Sequence, residues 1–105
     1  MKVIADGDLL ELITTGKNRR YREVERNNDL LSGLKKAVAI MLSVNNAQEL
    51  KTFSYLHYEK LKYEYSGLSS VRLNNRFVHR LIFEEFEDSI SLKLIEIDAT
   101  HYGNK

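Results

Sequence analysis

The pattern of hydrophobic and polar positions changes period midway along the chain and separates a helical half from a strand half. Lys2 to Ile4 reads as a short strand. Asp8 precedes Leu9, Leu10, Leu12 and Ile13, a spacing that predicts a short amphipathic helix ending near Gly16, a residue suited to a left-handed stop. Leu30, Leu31, Leu34, Val38, Met41 and Leu42 then recur at three- and four-residue intervals, so a longer helix is expected to end near Val44. Together these make an αα-hairpin with one apolar face, whose residues pack rather than react. Asn46-Ala47-Gln48-Glu49 has the form of a capping box and predicts one more helical turn before Phe53. Ser54 to Gly67 is aromatic and charged without a clear period, an ordered loop with some extended pairing.

Beyond Gly67 the period becomes two. Ser70-Val71-Arg72-Leu73 alternates, Asn74-Asn75 supplies a turn, and Val78 to Phe86 is a second strand. Glu87-Asp88-Ser89 turns again before a third strand, Ile90 to Ile97. Short turns impose antiparallel pairing. Helices followed by strands predict an α+β fold: an N-terminal helical hairpin packed on one face of a small antiparallel sheet, with the other face free for polar work.

Composition narrows the class. A chain of 105 residues, 43% hydrophobic and 30% charged, is one domain spanning 1–105 with room for one core. It has no cysteine, which excludes disulfides and thiolate metal sites. The N-terminal residues are too polar for a signal peptide and no apolar run reaches membrane-spanning length, so a cytoplasmic location is expected. The net charge of +1 conceals segregation. Lys17, Arg19, Arg20, Arg22 and Arg26 crowd one segment, and Glu84, Glu85, Glu87 and Asp88 another. A charge run by itself is a solvated surface, but the basic segment also suits a polyanion such as ribosomal RNA.

The second half is dense in groups suited to phosphate chemistry. His57, Glu59, Lys60 and Lys62 lie in the loop entering the sheet. Arg72 alternates with Val71 and Leu73 and so points away from them, and Arg80 sits within His79-Arg80-Leu81-Ile82-Phe83, where a charge is expensive unless paired or useful. His101-Tyr102 follows the third strand. Metal-independent RNA cleavage needs a base for the 2′-hydroxyl, a cation for the pentavalent phosphate and an acid for the departing 5′-oxygen. Taken singly, these residues are ordinary surface or ion-paired groups. Arg72 and Arg80 are placed to pair with Glu84 or Glu96 across strands, at roughly 0.2–1 kcal/mol each.

Their order along the chain carries more. Tyr58-Glu59-Lys60-Leu61-Lys62, Ser66-Gly67-Leu68-Ser69-Ser70-Val71-Arg72, His79-Arg80-Leu81-Ile82-Phe83 and His101-Tyr102 form a series that resembles the RelE/ParE superfamily of bacterial toxin–antitoxin toxins. The similarity is greatest to the RelE, YoeB and HigB branches, the last also called plasmid maintenance system killer proteins. At motif level it covers the last half of the chain. The resemblance implies a bacterial cytoplasmic toxin that enters the ribosomal A site, cuts mRNA without metal or cofactor, and is neutralised by a cognate antitoxin. By position it implies Glu59 as general base, Arg80 as the phosphate-stabilising arginine, His101 as general acid and Tyr102 as the residue orienting the substrate. Lys60, Lys62 and Arg72 match supporting cations, and His57 resembles the loop histidine of HigB proteins.

The chain departs from the family pattern at three places. The Arg72–Arg80 hairpin is about two residues longer than in YoeB-like sequences, a shift that preserves faces. Tyr63 stands where the loop usually has glycine, and Gly103-Asn104-Lys105 extends past the His-Tyr pair. Two other functions share the fold: a ParE-like inhibitor of DNA gyrase, disfavoured by Glu59 and His101-Tyr102, and a catalytically degenerate relative that binds an antitoxin.

Overall fold

A left-handed glycine ends the first helix and an asparagine side chain caps the start of the longest one. In the computed structural model, which describes residues 1–88 and 90–99, strand β1 (Lys2–Ile4) leads into helix α1 (Gly7–Thr15). Asp6 occupies the N-cap position, and Asp8 lies inside the first turn, where its charge complements the helix dipole. Gly16 ends α1 at φ 78°, returning its N–H to the Leu12 carbonyl. A single turn, α2 (Arg22–Glu25), precedes the long helix α3 (Asn28–Ser43). Asn27 caps α3 by accepting hydrogen bonds from the Asp29 and Leu30 amides at 3.0 and 3.1 Å.

The apolar stripe of α3 buries Leu30, Leu34, Ala37, Val38 and Met41. Leu42, which the spacing assigns to that stripe, is 56% exposed, because one further residue turns it off the buried face. Helices α1 and α3 pack mainly on other elements than each other, unlike the expected αα-hairpin: α1 packs on the strand Ser91–Asp98, and α3 packs on α2 and β1. The turn after α3 is a 3₁₀ helix, Ala47–Thr52. Asn46 accepts from the Glu49 amide as a capping box requires, but Glu49 reaches back to the amide of Asn45, one residue earlier than that motif places it.

The expected α+β layering is found. Strands β2 (Glu59–Lys60), β3 (Leu68–Arg72), β4 (Arg80–Glu85) and β5 (Ser91–Asp98) pair antiparallel, and β1 adds to β5 in parallel, giving the order β1-β5-β4-β3-β2. Strand β4 starts at Arg80 rather than Val78, because residues 73–79 form a broad turn. Leu73 N–H closes it on the His79 carbonyl, and the Asn74 carbonyl and side chain take the Phe77 and Arg76 amides.

Two features fix which side chains face the helices. The first is a bulge in β5. Ile82 pairs with Glu96 while Phe83 pairs with Leu94, so Ile95 is the extra residue. The bulge lets Leu92, Leu94 and Ile97 all enter the core and turns Glu96 and Asp98 to the opposite face. The second is Gly33, midway along α3. A Cβ there would sit 1.9 Å from the Leu73 carbonyl oxygen, so only glycine admits the β3–β4 turn this close to the helix. Among the described residues, no helix is long and apolar enough to cross a membrane.

Candidate functional site

Period-two alternation in β3 puts Ser70 and Arg72 on the face away from the helices, and the ladders align the rest. Glu59 pairs with Ser70, Ser70 with Ile82, Arg72 with Arg80, and Arg80 with Asp98. Directly paired residues share a face, so Glu59, Ser70, Arg72 and Arg80 converge although they span more than 20 positions of the chain.

Arg80 is the centre of this group. Its side chain is only 4% exposed. Burying a guanidinium requires nearly complete pairing. Nε donates to Ser70 Oγ at 2.7 Å, and one terminal nitrogen donates to the His57 carbonyl at 2.7 Å and lies 3.4 Å from Glu59 Oε1. The Arg80 partners anticipated from alternation, Glu84 and Glu96, are therefore not the ones found here. Glu84 is exposed, and Glu96 receives Arg20 at 3.2 Å and the Tyr65 hydroxyl at 3.4 Å. Arg72 likewise donates to the Phe77 carbonyl at 3.2 Å, while its Nε is buried without a hydrogen-bond partner.

The polar face is also less bare than the layering implied. Ser70 and Ile82 are fully buried, and the segment between His57 and Ser66 reaches over the sheet. Glu59 remains half exposed and gives the cluster its access to solvent. This contrast separates the pair: the carboxylate is reachable, the guanidinium is held from behind.

A second network fixes Glu59 from the other side of the sheet. Lys60, its neighbour, pairs with Ser69 and turns to the helix-facing side, where its Nζ is 4.0 Å from Glu85. Tyr58 and Ser69 both donate to Glu85 Oε2, the latter at 2.6 Å. Burial, reinforced by the Glu85 hydrogen bond, pushes the Tyr58 hydroxyl up to about 12. The residues on both sides of Glu59 are thus tied to one carboxylate. The register does not bring Lys60 to Arg80, and its cation serves this clamp.

No family model matches the chain, and no curated protein matches it.

The remaining expected site residues fall as follows. His57 is exposed, in the left-handed region at φ 48°, and contributes its backbone carbonyl to Arg80. Lys62 is exposed in the covering segment. Lys17, Arg19 and Arg22 are exposed, whereas Arg20 bridges to Glu96 and, at 3.9 Å, to Asp8. His101 and Tyr102 lie outside the described residues. The motif reading passed over Ser70 and Glu85 as site residues. Ser70 was within reach, since alternation places it beside Arg72; Glu85 looked like one more surface acid.

His79, immediately before Arg80, is buried and faces the helices. Its Nε2 lies 2.5 Å from Glu23, yet neither ring nitrogen meets a partner along a hydrogen-bond direction. Tyr63 takes φ 59°, a left-handed backbone conformation that favours glycine.

Proposed function

We propose that this chain is the toxin of a toxin–antitoxin system and cleaves mRNA in the ribosomal A site by metal-independent transesterification. The observation that carries the reading is the Glu59–Arg80 pair on one sheet face, an accessible carboxylate 3.4 Å from a guanidinium fixed by Ser70 and His57. In this reaction Glu59 takes the proton from the 2′-hydroxyl, and O2′ forms a bond to the adjacent phosphorus. The P–O5′ bond breaks, leaving a 2′,3′-cyclic phosphate and a 5′-hydroxyl after proton donation to O5′. Arg80 holds the non-bridging oxygens as their charge grows, and its preorganisation avoids reorientation at the transition state. The family resemblance assigns the proton donor to His101. The exposed Lys17, Arg19 and Arg22 suit contacts with ribosomal RNA, and the cognate antitoxin is expected to mask the Glu59 side of the sheet.

Purified protein mixed with programmed ribosomes should produce cuts within the A-site codon. Glu59→Gln changes a half-exposed group without burying a charge, and should lower the cleavage rate about 10²–10⁴-fold. Arg80→Ala should abolish cutting. Intact mRNA in the presence of folded wild-type protein, or full activity in both variants, would overturn the proposal.

The burial of Arg80 favours one competing reading, a non-cleaving relative that uses the same fold to bind its antitoxin. Normal growth on expression without an antitoxin would support it. Inhibition of DNA supercoiling would instead point to a gyrase poison.

A further inference from the structure

The β3–β4 turn, α3 and the 3₁₀ turn Ser54–Leu56 enclose a cleft of about 270 Å³ that the catalytic reading leaves unused. Lys36, Tyr55, Arg72, Asn74 and Asn75 line it, and Gly33, packed on the Leu73 carbonyl, lets α3 and the β3–β4 turn meet at its wall. Its volume lies just below the ~300 Å³ at which sites for small organic molecules begin, enough for one nucleotide unit but not for a strand.

The chemistry of the walls is that of a single-strand RNA subsite. The Lys36 ammonium sits 4.5 Å over the Tyr55 ring, which Phe53 braces edge-on at 6.2 Å. A phosphate-binding cation therefore lies over an aromatic face, and a base stacks on that face as the ammonium turns to its phosphate. Arg72 adds a second cation, with Nε lacking a hydrogen-bond partner. Among the described lining residues the carboxylate is Asp29, which pairs with Arg76 at 2.5 Å and leaves Lys36 and Arg72 as the wall's cations. Asn74 and Asn75 supply amide groups able to meet a base edge.

Position ties the cleft to the site. Arg72 is the ladder partner of Arg80, and Leu56 on the cleft wall precedes His57, whose carbonyl holds Arg80.

We infer that this cleft binds the nucleotide flanking the scissile phosphate, with the base on Tyr55 and the phosphate between Lys36 and Arg72. The inference rests on the nuclease reading and adds to it a specificity-determining subsite.

A trinucleotide RNA with 2′-deoxyribose at its middle position, which cannot be cleaved, is titrated into isotope-labelled protein and followed by amide chemical shifts. Shifts at Gly33, Lys36, Tyr55 and Asn75 together with those at Ser70 and Arg80 are expected. Lys36→Ala and Tyr55→Leu, both surface changes, should weaken binding about 10-fold each and raise KM more than they lower kcat in the ribosome assay. A melting curve like that of wild type shows that each variant is folded. Shifts confined to Ser70 and Arg80, or no shift at millimolar probe, would refute the cleft while leaving cleavage by Glu59 and Arg80 intact. Conversely, cleft shifts in a protein that never cuts mRNA would sink the nuclease reading and leave an RNA-binding cleft.

Discussion

Gly33→Ala tests how closely α3 is keyed to the sheet. In an exposed helix interior this substitution stabilises by about 1 kcal/mol, because glycine is the poorer helix former. Here the new Cβ would lie 1.9 Å from the Leu73 oxygen and 2.8 Å from its carbonyl carbon, where real Cβ contacts essentially never fall under 3.0 Å. The turn must retreat by about 1 Å, and overpacking of that kind costs about 1–3 kcal/mol or more when backbone is what must move. Both sides are backbone here, and the turn is held by the Leu73–His79 hydrogen bond and the β3–β4 ladder. We therefore expect a net loss of about 2 kcal/mol. At about 4–8 °C per kcal/mol for a domain near this size, the Tm falls by roughly 8–16 °C. Thermal and urea unfolding measure it, with Ala39→Gly on the exposed side of α3 as the control for helix propensity alone. If folded, the variant should also lose cleavage, since the retreating turn joins Arg72 at the end of β3 to Arg80 at the start of β4. A Gly33→Ala protein as stable as wild type or more so, with unchanged β3–β4 amide shifts, would refute the close contact and the reasoning built on it.

Tyr58 gives a pH signature. Its hydroxyl is raised from 10.0 to about 12, so the folded state holds the proton more tightly than the unfolded chain. Stability from this group is complete below pH 10 and is lost as pH climbs toward 12. Ultraviolet titration should show one tyrosine ionising last, absent in Tyr58→Phe; six tyrosines titrating together near the ordinary value would contradict the Glu85 bond. Tyr63→Gly should stabilise by about 0.5 kcal/mol, the relief of a left-handed residue less the added chain entropy of glycine. A loss above about 1 kcal/mol in denaturant would show that the ring contributes packing after all. Asn27→Ala removes two hydrogen bonds to the first turn of α3 and should cost about 1 kcal/mol, read as a Tm drop of roughly 4–8 °C.

Much of the architecture is legible in local pattern. The three-four spacing from Leu30 to Met41 marks α3 because a helix repeats its face every 3.6 residues. The αL stop at Gly16 and the alternation around Val71 follow from equally local rules. Those rules also place Ser70 and Arg72 on one face. They fail at Leu42, where an apolar residue adjoins the stripe without belonging to it. They gave no hint that β1 joins β5, since pairing partners distant in sequence leave no local trace.

The candidate site divides along the same line. Residue types, their order and the resemblance they carry belong to the sequence alone: Glu59 beside two lysines, and Arg72 and Arg80 each among apolar neighbours. What only the folded molecule decided is which of these groups meet. The β2–β3 register sent Glu59 to Arg80 and Lys60 to Glu85, and the bulge at Ile95 turned Glu96 and Asp98 outward. A side chain's type is written in one position, but its partners depend on registers set by the whole sheet, where a slip of one residue sends every side chain to the other face.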